Sequence, residues 1–236
     1  MTNLKLKERS KNVQRMFGRI AARYDLMNRV MTAGMDIRLR KIVVRKAQLP
    51  PSGILLDLAT GTGDMAFEAR KQYPQAYIYA SDFSLAMLQI GQKKTSTPLK
   101  FFAADALEIP FSSSSCDAVT SGFLLRNVVD LDRSLQEQLR VLKPGGIFVS
   151  LDTTQLGKSI LRPLISFYTH FIIPLLGRLL TGDREAYNYL PSSTDQFYSA
   201  EEIAARLQSN GFTSIGFERK MFKTVAIHWA VKPITQ

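Results

Sequence analysis

Residues 55–66 read LLDLATGTGDMA, and their types and spacing suit a nucleotide. An apolar run ends in a carboxylate, Asp57, then passes through Ala59, Thr60, Gly61, Thr62 and Gly63 into a segment of helical composition opening at Asp64. Glycines lack a Cβ, so the backbone can turn sharply and admit a ligand closely, while the helix beyond presents unpaired N–H groups. Further along stand Asp82 with Phe83, about twenty positions past the glycines, then Asp105 with Ala106, and the segment 122–127. An acid at the first of these separations is suited to accept both hydroxyls of a ribose. Taken singly, the glycines also read as turn residues, Asp82 as a helix cap ahead of Ser84, and Asp105 as a loop carboxylate. Their order along one alternating chain joins them into a single cofactor site.

The spacing also bears on which nucleotide. The loop falls short of the dinucleotide fingerprint G-x-G-x-x-G because Ala66 occupies its last position. Asp57 would repel a pyrophosphate and attract an ammonium group, and Asp105 is placed to bond an adenine amino group. S-adenosylmethionine is therefore expected over NAD.

Positioning these residues falls to alternating elements. Pro50, Pro51, Ser52 and Gly53 mark a boundary, after which strands at about 53–58, 76–81, 99–103, 117–122 and 146–152 alternate with helices at about 64–73, 84–94 and 131–142. This is the pattern of a parallel, doubly wound α/β sheet, whose ligands lie beyond the carboxyl ends of the strands. A turn at residues 143–146 is expected to stop the last of those helices. A helix at 200–210 closed by Gly211, then β-rich runs at 213–219 and 224–231, predict a closing hairpin and bring the strands to seven.

Ahead of the boundary, Val13, Met16, Phe17, Ile20 and Ala21 fall at helical spacing beside Arg15, Arg19 and Arg23, and a second basic helix at about 37–47 carries Arg38 and Arg40. Residues 1–50 thus read as a basic helical lid, and 51–236 as the cofactor-binding domain with an apolar helical insertion at 155–190. Within that insertion the stretch 160–180 is interrupted by Arg162, Pro163, His170, Pro174 and Arg178, which reads against a membrane span. Helices forming an apolar trough or a packed cover are expected instead.

Thirty-one Lys and Arg against 20 Asp and Glu give a net charge of +11 and call for an anionic partner surface, nucleic acid or acidic lipid. No aromatic base-stacking platform or appended RNA-binding module is evident, so nucleic acid is not expected. One cysteine, Cys116, and two histidines, His170 and His228, argue against a disulfide and a zinc site. His228 reads as a core residue, and His170 receives no role. The basic N-terminus has no apolar segment behind it, so a cytoplasmic protein is expected.

Five further segments are more discriminating: YDLMNRVMT at 24–32, FLLRNVVDLDRSL at 123–135, RVLKPGG at 140–146, AYNYLP at 186–191 and FKTVAIHWAVK at 222–232. On these the chain resembles, over nearly its whole length, the UbiE/MenG family of quinone-biosynthesis C-methyltransferases. The resemblance implies a Rossmann-like class I methyltransferase, with S-adenosyl-L-methionine held by Asp57, Ala59, Gly61, Thr62, Gly63, Asp82, Phe83, Asp105, Ala106 and Gly122. It implies Arg126 and Asn127 as catalytic residues, and Tyr24, Asp25, Asn28, Tyr187 and Tyr189 around a reduced prenylated quinone. Arg15, Arg19, Arg23, Arg38 and Arg40 on the N-terminal helices predict peripheral contact with the inner face of an anionic membrane, and a homodimer is a further expectation. The residues alone also allow Arg126 to be an ion-pair partner of Asp130 or Asp132. The chain departs from the family pattern at Thr32 (Ser), Asp36 (His), Leu39 (Trp), Gly122 (often Ser) and 152–154 (Glu-x-Ser). A methyltransferase for another small molecule or RNA, and an inactive cofactor-binding partner in a lipid-synthesis assembly, stand as the alternatives.

Overall fold

The computed structural model describes residues 3–94, 99–156, 160–181 and 183–234. Its centre is the apolar run β1 (Ile54–Leu58), fully buried from Leu55 onward, as a strand covered on both faces must be. Beside it lie β2 (Tyr77–Asp82) and β4 (Cys116–Gly122), both parallel, with β3 (Lys100–Ala103) beyond β2 and β5 (Leu142–Thr153) beyond β4. The hairpin β6 (Thr213–Lys220) and β7 (Val225–Val231) joins β5 antiparallel, completing the order β3-β2-β1-β4-β5-β7-β6. The expected seven-stranded, mostly parallel sheet is thus observed. Strand order reverses between β1 and β4, which opens a crevice at their carboxyl ends.

Helices cover both faces. On one, α3 (Met35–Lys46) and α4 (Asp64–Gln72) bury Leu39, Val43, Val44, Ala66 and Ala69 against the sheet. On the other, α6 (Leu131–Val141) and α10 (Ala200–Ser209) bury Leu135, Val141, Ile203 and Leu207. The start of α10 is fixed by a capping box between Ser199 and Glu202. His228 is buried in β7, as expected. A third cluster joins α1 (Asn3–Ile20) and α2 (Tyr24–Met31) to α9 (Arg184–Asp195) through Met16, Ile20, Met27, Ala186 and Tyr187.

Two local expectations are corrected. Residues 143–146 do not precede the strand; they form a bulge inside it, where the pairing steps from Cys116–Leu142 to Ala118–Ile147 and Gly145 takes φ 78°. Nor do the prolines break the apolar insertion. It runs without interruption through α7 (Arg162–Phe167), a π-helical turn at Tyr168–Ile172, and α8 (Ile173–Thr181). Pro163 sits in the first turn, where no N–H is needed, and the wider π turn precedes Pro174, relieving its clash with the preceding turn. By length and composition, Arg162–Leu180 is apolar enough to cross a membrane, and only 6% of it is buried.

Candidate active site

The glycine loop leaves β1 through three residues in left-handed conformation, Ala59, Gly61 and Gly63, at φ 56°, 59° and 87°. A Cβ on Gly63 would lie 3.0 Å from the rings of Phe67 and Phe101, so the position has neither the dihedral nor the room for a side chain. Asp57 underlies the loop: its carboxylate accepts the hydroxyls of Thr60 at 2.5 Å and Thr120 at 2.9 Å. Burial pushes its carboxyl up to about 6 despite these bonds. Asp82 accepts the Gly61 N–H and the Ser84 N–H, each at 2.8 Å, so it ties the loop to β2 and fixes the residue that precedes α5 (Leu85–Lys93). Burial raises its carboxyl to about 6 as well.

A cavity at the carboxyl ends of β1, β2 and β4 is walled by Ala59, Gly61, Asp82, Phe83, Asp105, Ala106 and Gly122. Asp57, Thr62 and Gly63 stand behind that wall, holding its shape. Thr62 donates to Asp25 at 2.6 Å, and Lys94 reaches Thr62 at 2.7 Å, Asp64 at 2.8 Å and Asp25 at 2.5 Å. Asp25 therefore binds the loop and its lysine. The network continues to Arg29, 2.7 Å from Asp64, and to the buried Asp36, which pairs with both Arg29 and Arg40. Arg40 is accordingly buried, so the cationic surface expected at residues 15–40 is limited to Arg15, Arg19, Arg23 and Arg38.

A second, larger cavity of about 1000 Å³ adjoins the first. Phe17, Tyr24 and Phe123 line both. Tyr24 packs edge-on to Phe17 with centroids 6.1 Å apart, and burial raises its phenol while a hydrogen bond to Asn28 opposes the shift. Phe123 holds φ 59°, a strained conformation for a bulky residue, directly where the cavities meet. Asn28, Tyr187 and Arg126 line the larger cavity, and Asn127 the smaller. Tyr189 donates to Asn127 Oδ1 at 3.0 Å, and Asn127 donates to the Phe123 carbonyl at 2.7 Å.

Arg126 is buried, with its guanidinium 5.0 Å from the Phe123 ring centroid. Its Nη1 donates to Thr153 Oγ1 at 3.2 Å and lies 3.8 Å from Asp152 Oδ1. Asp132 instead pairs with Arg206 at 2.7 Å, and Asp130 caps α6 through the Arg133 N–H at 3.0 Å. The partner of Arg126 is thus Asp152. Burial raises the Asp152 carboxyl, and the guanidinium opposes that shift. The Nε of Arg126 is buried without a hydrogen-bond partner among the described residues, an orphan donor at the cavity wall.

Sequence reasoning missed the polar wall opposite. Thr153, Thr194, Asp195 and His170 all line the larger cavity; Thr194 donates to Thr153 at 3.2 Å, and His170 Nε2 lies 3.0 Å from Asp195 Oδ2. That carboxylate holds the imidazole above its usual range. No spacing signals the pair, because only the packing of α9 on the insertion brings these residues together. Ile165, Tyr168 and Ile173 supply the apolar side, so the insertion forms one wall of the trough.

The sequence profile of the ubiE/COQ5 methyltransferase family matches residues 3–232. The ubiquinone/menaquinone biosynthesis C-methyltransferase UbiE of Desulfotalea psychrophila is 47% identical over 93% of this chain and 90% of its own. The demethylmenaquinone methyltransferase of Thermus thermophilus is 38% identical, covering 92% of this chain and all of its own. Among solved structures, a SAM-dependent methyltransferase from Thermotoga maritima superposes with a TM-score of 0.67 over 93% of this chain and 99% of its own, at 17% identity. That last likeness concerns the fold.

Proposed function

Because the chain belongs to the ubiE/COQ5 methyltransferase family, we propose that its S-adenosylmethionine-dependent C-methylation acts on a ring carbon of a reduced prenylated quinone, of demethylmenaquinol type. The observation that carries the proposal is the pair of adjoining cavities: a small one shaped by a glycine loop and carboxylates, and a large, mainly apolar one behind three shared rings.

The first cavity fits the cofactor. Asp82 faces it with lone pairs left for ribose hydroxyls, the left-handed loop lets ligand atoms approach backbone, and Asp105 with Ala106, on the same wall, would bond an adenine amino edge. When bound, S-adenosylmethionine supplies a methyl group on a sulfonium, an electrophile. The chain's part is then to orient the quinol and stabilise its phenolate, the hydroxyl proton passing to water, so that negative charge spreads to the ring carbon; once methylated, that carbon gives up its hydrogen as a proton to water and the ring regains aromaticity. Positioning accounts for most of this, and assisted proton removal adds roughly 10²–10⁴-fold. The Arg126 guanidinium stabilises the developing phenolate by charge. Asn127, held by Tyr189 and the Phe123 carbonyl, orients an oxygen. Tyr24 and Asn28 pack beside the ring, Tyr187 supports the trough, and Asp25 secures residues 1–50 as a lid over the loop.

Peripheral contact with an anionic membrane on the cytoplasmic side is part of the proposal, supported by the exposed Arg15, Arg19, Arg23 and Arg38. A homodimer is its assembly-level expectation, tested by sedimentation; a monomer at working concentration overturns that point alone.

The direct test supplies methyl-labelled S-adenosylmethionine with chemically reduced demethylmenaquinol or 2-polyprenyl-benzoquinol and identifies products by mass spectrometry. Label on the naphthoquinol ring is expected. Absence of label from both acceptors overturns the proposal, and label on the benzoquinol alone overturns the choice of ring.

A further inference from the structure

The insertion helix has two apolar faces. Ile173, Leu176 and Leu180 on one pack against Met16, Met27 and Tyr187. On the other, Leu164, Phe167, Phe171, Leu175 and Leu179 are exposed by 66, 54, 65, 52 and 70%, three or four residues apart and therefore on one stripe. The rings of Phe167 and Phe171 stack at 5.4 Å. From 160 to 181 there is no Asp or Glu. Arg162 precedes the stripe and Arg178 stands beside its last residue, and both are exposed. At its C-terminal end Arg23 donates to the Leu180 carbonyl, and Arg19 pairs with Asp183 at 2.8 Å, which brings the basic helix α1 and its following turn alongside.

A helix of this length and apolarity could span a bilayer, but its attachments point elsewhere. Tyr168 donates to the Met31 carbonyl at 3.0 Å, His170 is clasped to Asp195, and Gly177 lies so close to the Tyr187 ring that no side chain fits between them. A spanning pose would strip all of these contacts and the packing beneath them.

We propose that α7 and α8 lie in the plane of an anionic bilayer, with the Leu164–Leu179 stripe among the outer acyl chains and the flanking arginines at headgroup level. The cavity directly beneath then receives the prenylated acceptor from the bilayer itself, without passage through water. An in-plane helix of this kind binds by buried apolar area plus headgroup attraction. The loading route rests on the quinol proposal; the docking surface does not.

The test compares the full chain with a variant carrying Phe167→Ser, Phe171→Ser, Leu175→Ser and Leu179→Ser, none of which lines the cavity. These side chains are exposed, and thermal melting checks that the fold is retained. With vesicles of phosphatidylglycerol and phosphatidylcholine, the unmodified protein is expected to float and to be released by alkaline carbonate, while the variant floats at least about tenfold less. Turnover of a long-tailed acceptor embedded in the vesicles should fall about tenfold or more, and turnover of a water-soluble short-chain acceptor should stay within about twofold. Flotation of the variant equal to that of the unmodified chain overturns the inference, as does resistance to carbonate, which indicates a span. So does a stripe-dependent dimer with unchanged vesicle binding, which indicates a second copy as the occupant. If the unmodified protein methylates neither acceptor, the quinol proposal fails, and flotation still decides the docking surface.

Discussion

Arg126 is a buried cation held between Asp152 and the face of Phe123, with one nitrogen left unbonded at the cavity wall. Arg126→Lys keeps the charge and loses the planar fork, so turnover is expected to fall about 10²-fold or more while calorimetry finds cofactor affinity within about twofold. Thr153 accepts from both Arg126 and Thr194, which leaves its own proton for an oxygen in the cavity. Thr153→Val should lower kcat about tenfold, with Thr153→Ser restoring it; equal rates in all three proteins would remove the hydroxyl from the chemistry. At Asp82 a carboxyl with an ordinary value of 3.8 is raised to about 6 by burial. Ribose hydroxyls bond the ionised form better, so cofactor affinity should weaken as pH falls through about 6, by up to tenfold per unit, and Asp82→Asn should bind weakly with a flat profile. The fold itself responds in the opposite sense. A carboxyl that holds its proton more tightly folded than unfolded contributes stability below about 3.8, and this contribution is lost as pH rises through about 6. Asp82 and the glycines were legible because their chemistry is local. Asp152 as the partner of Arg126 was not, since the nearer acids Asp130 and Asp132 are claimed by a helix cap and by Arg206.

Between α2, α3 and the loop, a chain of charges connects Arg29, Asp36, Arg40, Asp64, Lys94 and Asp25. Asp36 is almost wholly buried and pairs with two arginines, so Asp36→Ala leaves both to share Asp64 and should cost about 3 kcal/mol, read from urea unfolding. A change below about 1 kcal/mol would mean that the network is solvated. An acid fits at position 36 because the two arginines around it demand a negative charge. Strands β1 to β4 and the closing hairpin were readable from apolar runs bounded by turn residues. The bulge at 143–146 was not, because a Lys-Pro-Gly-Gly run signals a turn and only pairing with β4 carries the strand through it. Pro174 misled for a similar reason, since a π turn has no local sequence signature.

For the molecule as a whole, a parallel, doubly wound sheet with a crevice beyond the carboxyl ends of its strands followed from alternation, whereas the order of the strands and the size of the second cavity depended on tertiary packing, the cavity on how α1, α2, the insertion and α9 meet. Those between the N-terminal helices and the insertion or α9 join residues more than a hundred positions apart, and no periodicity encodes them. Phe17, Tyr24 and Phe123 belong to both cavities at once. Any rotation of these rings that admits one ligand reshapes the seat of the other, so the two binding equilibria form a closed thermodynamic square. Whatever factor the cofactor imposes on the dissociation constant of the quinol, the quinol must impose equally on that of the cofactor.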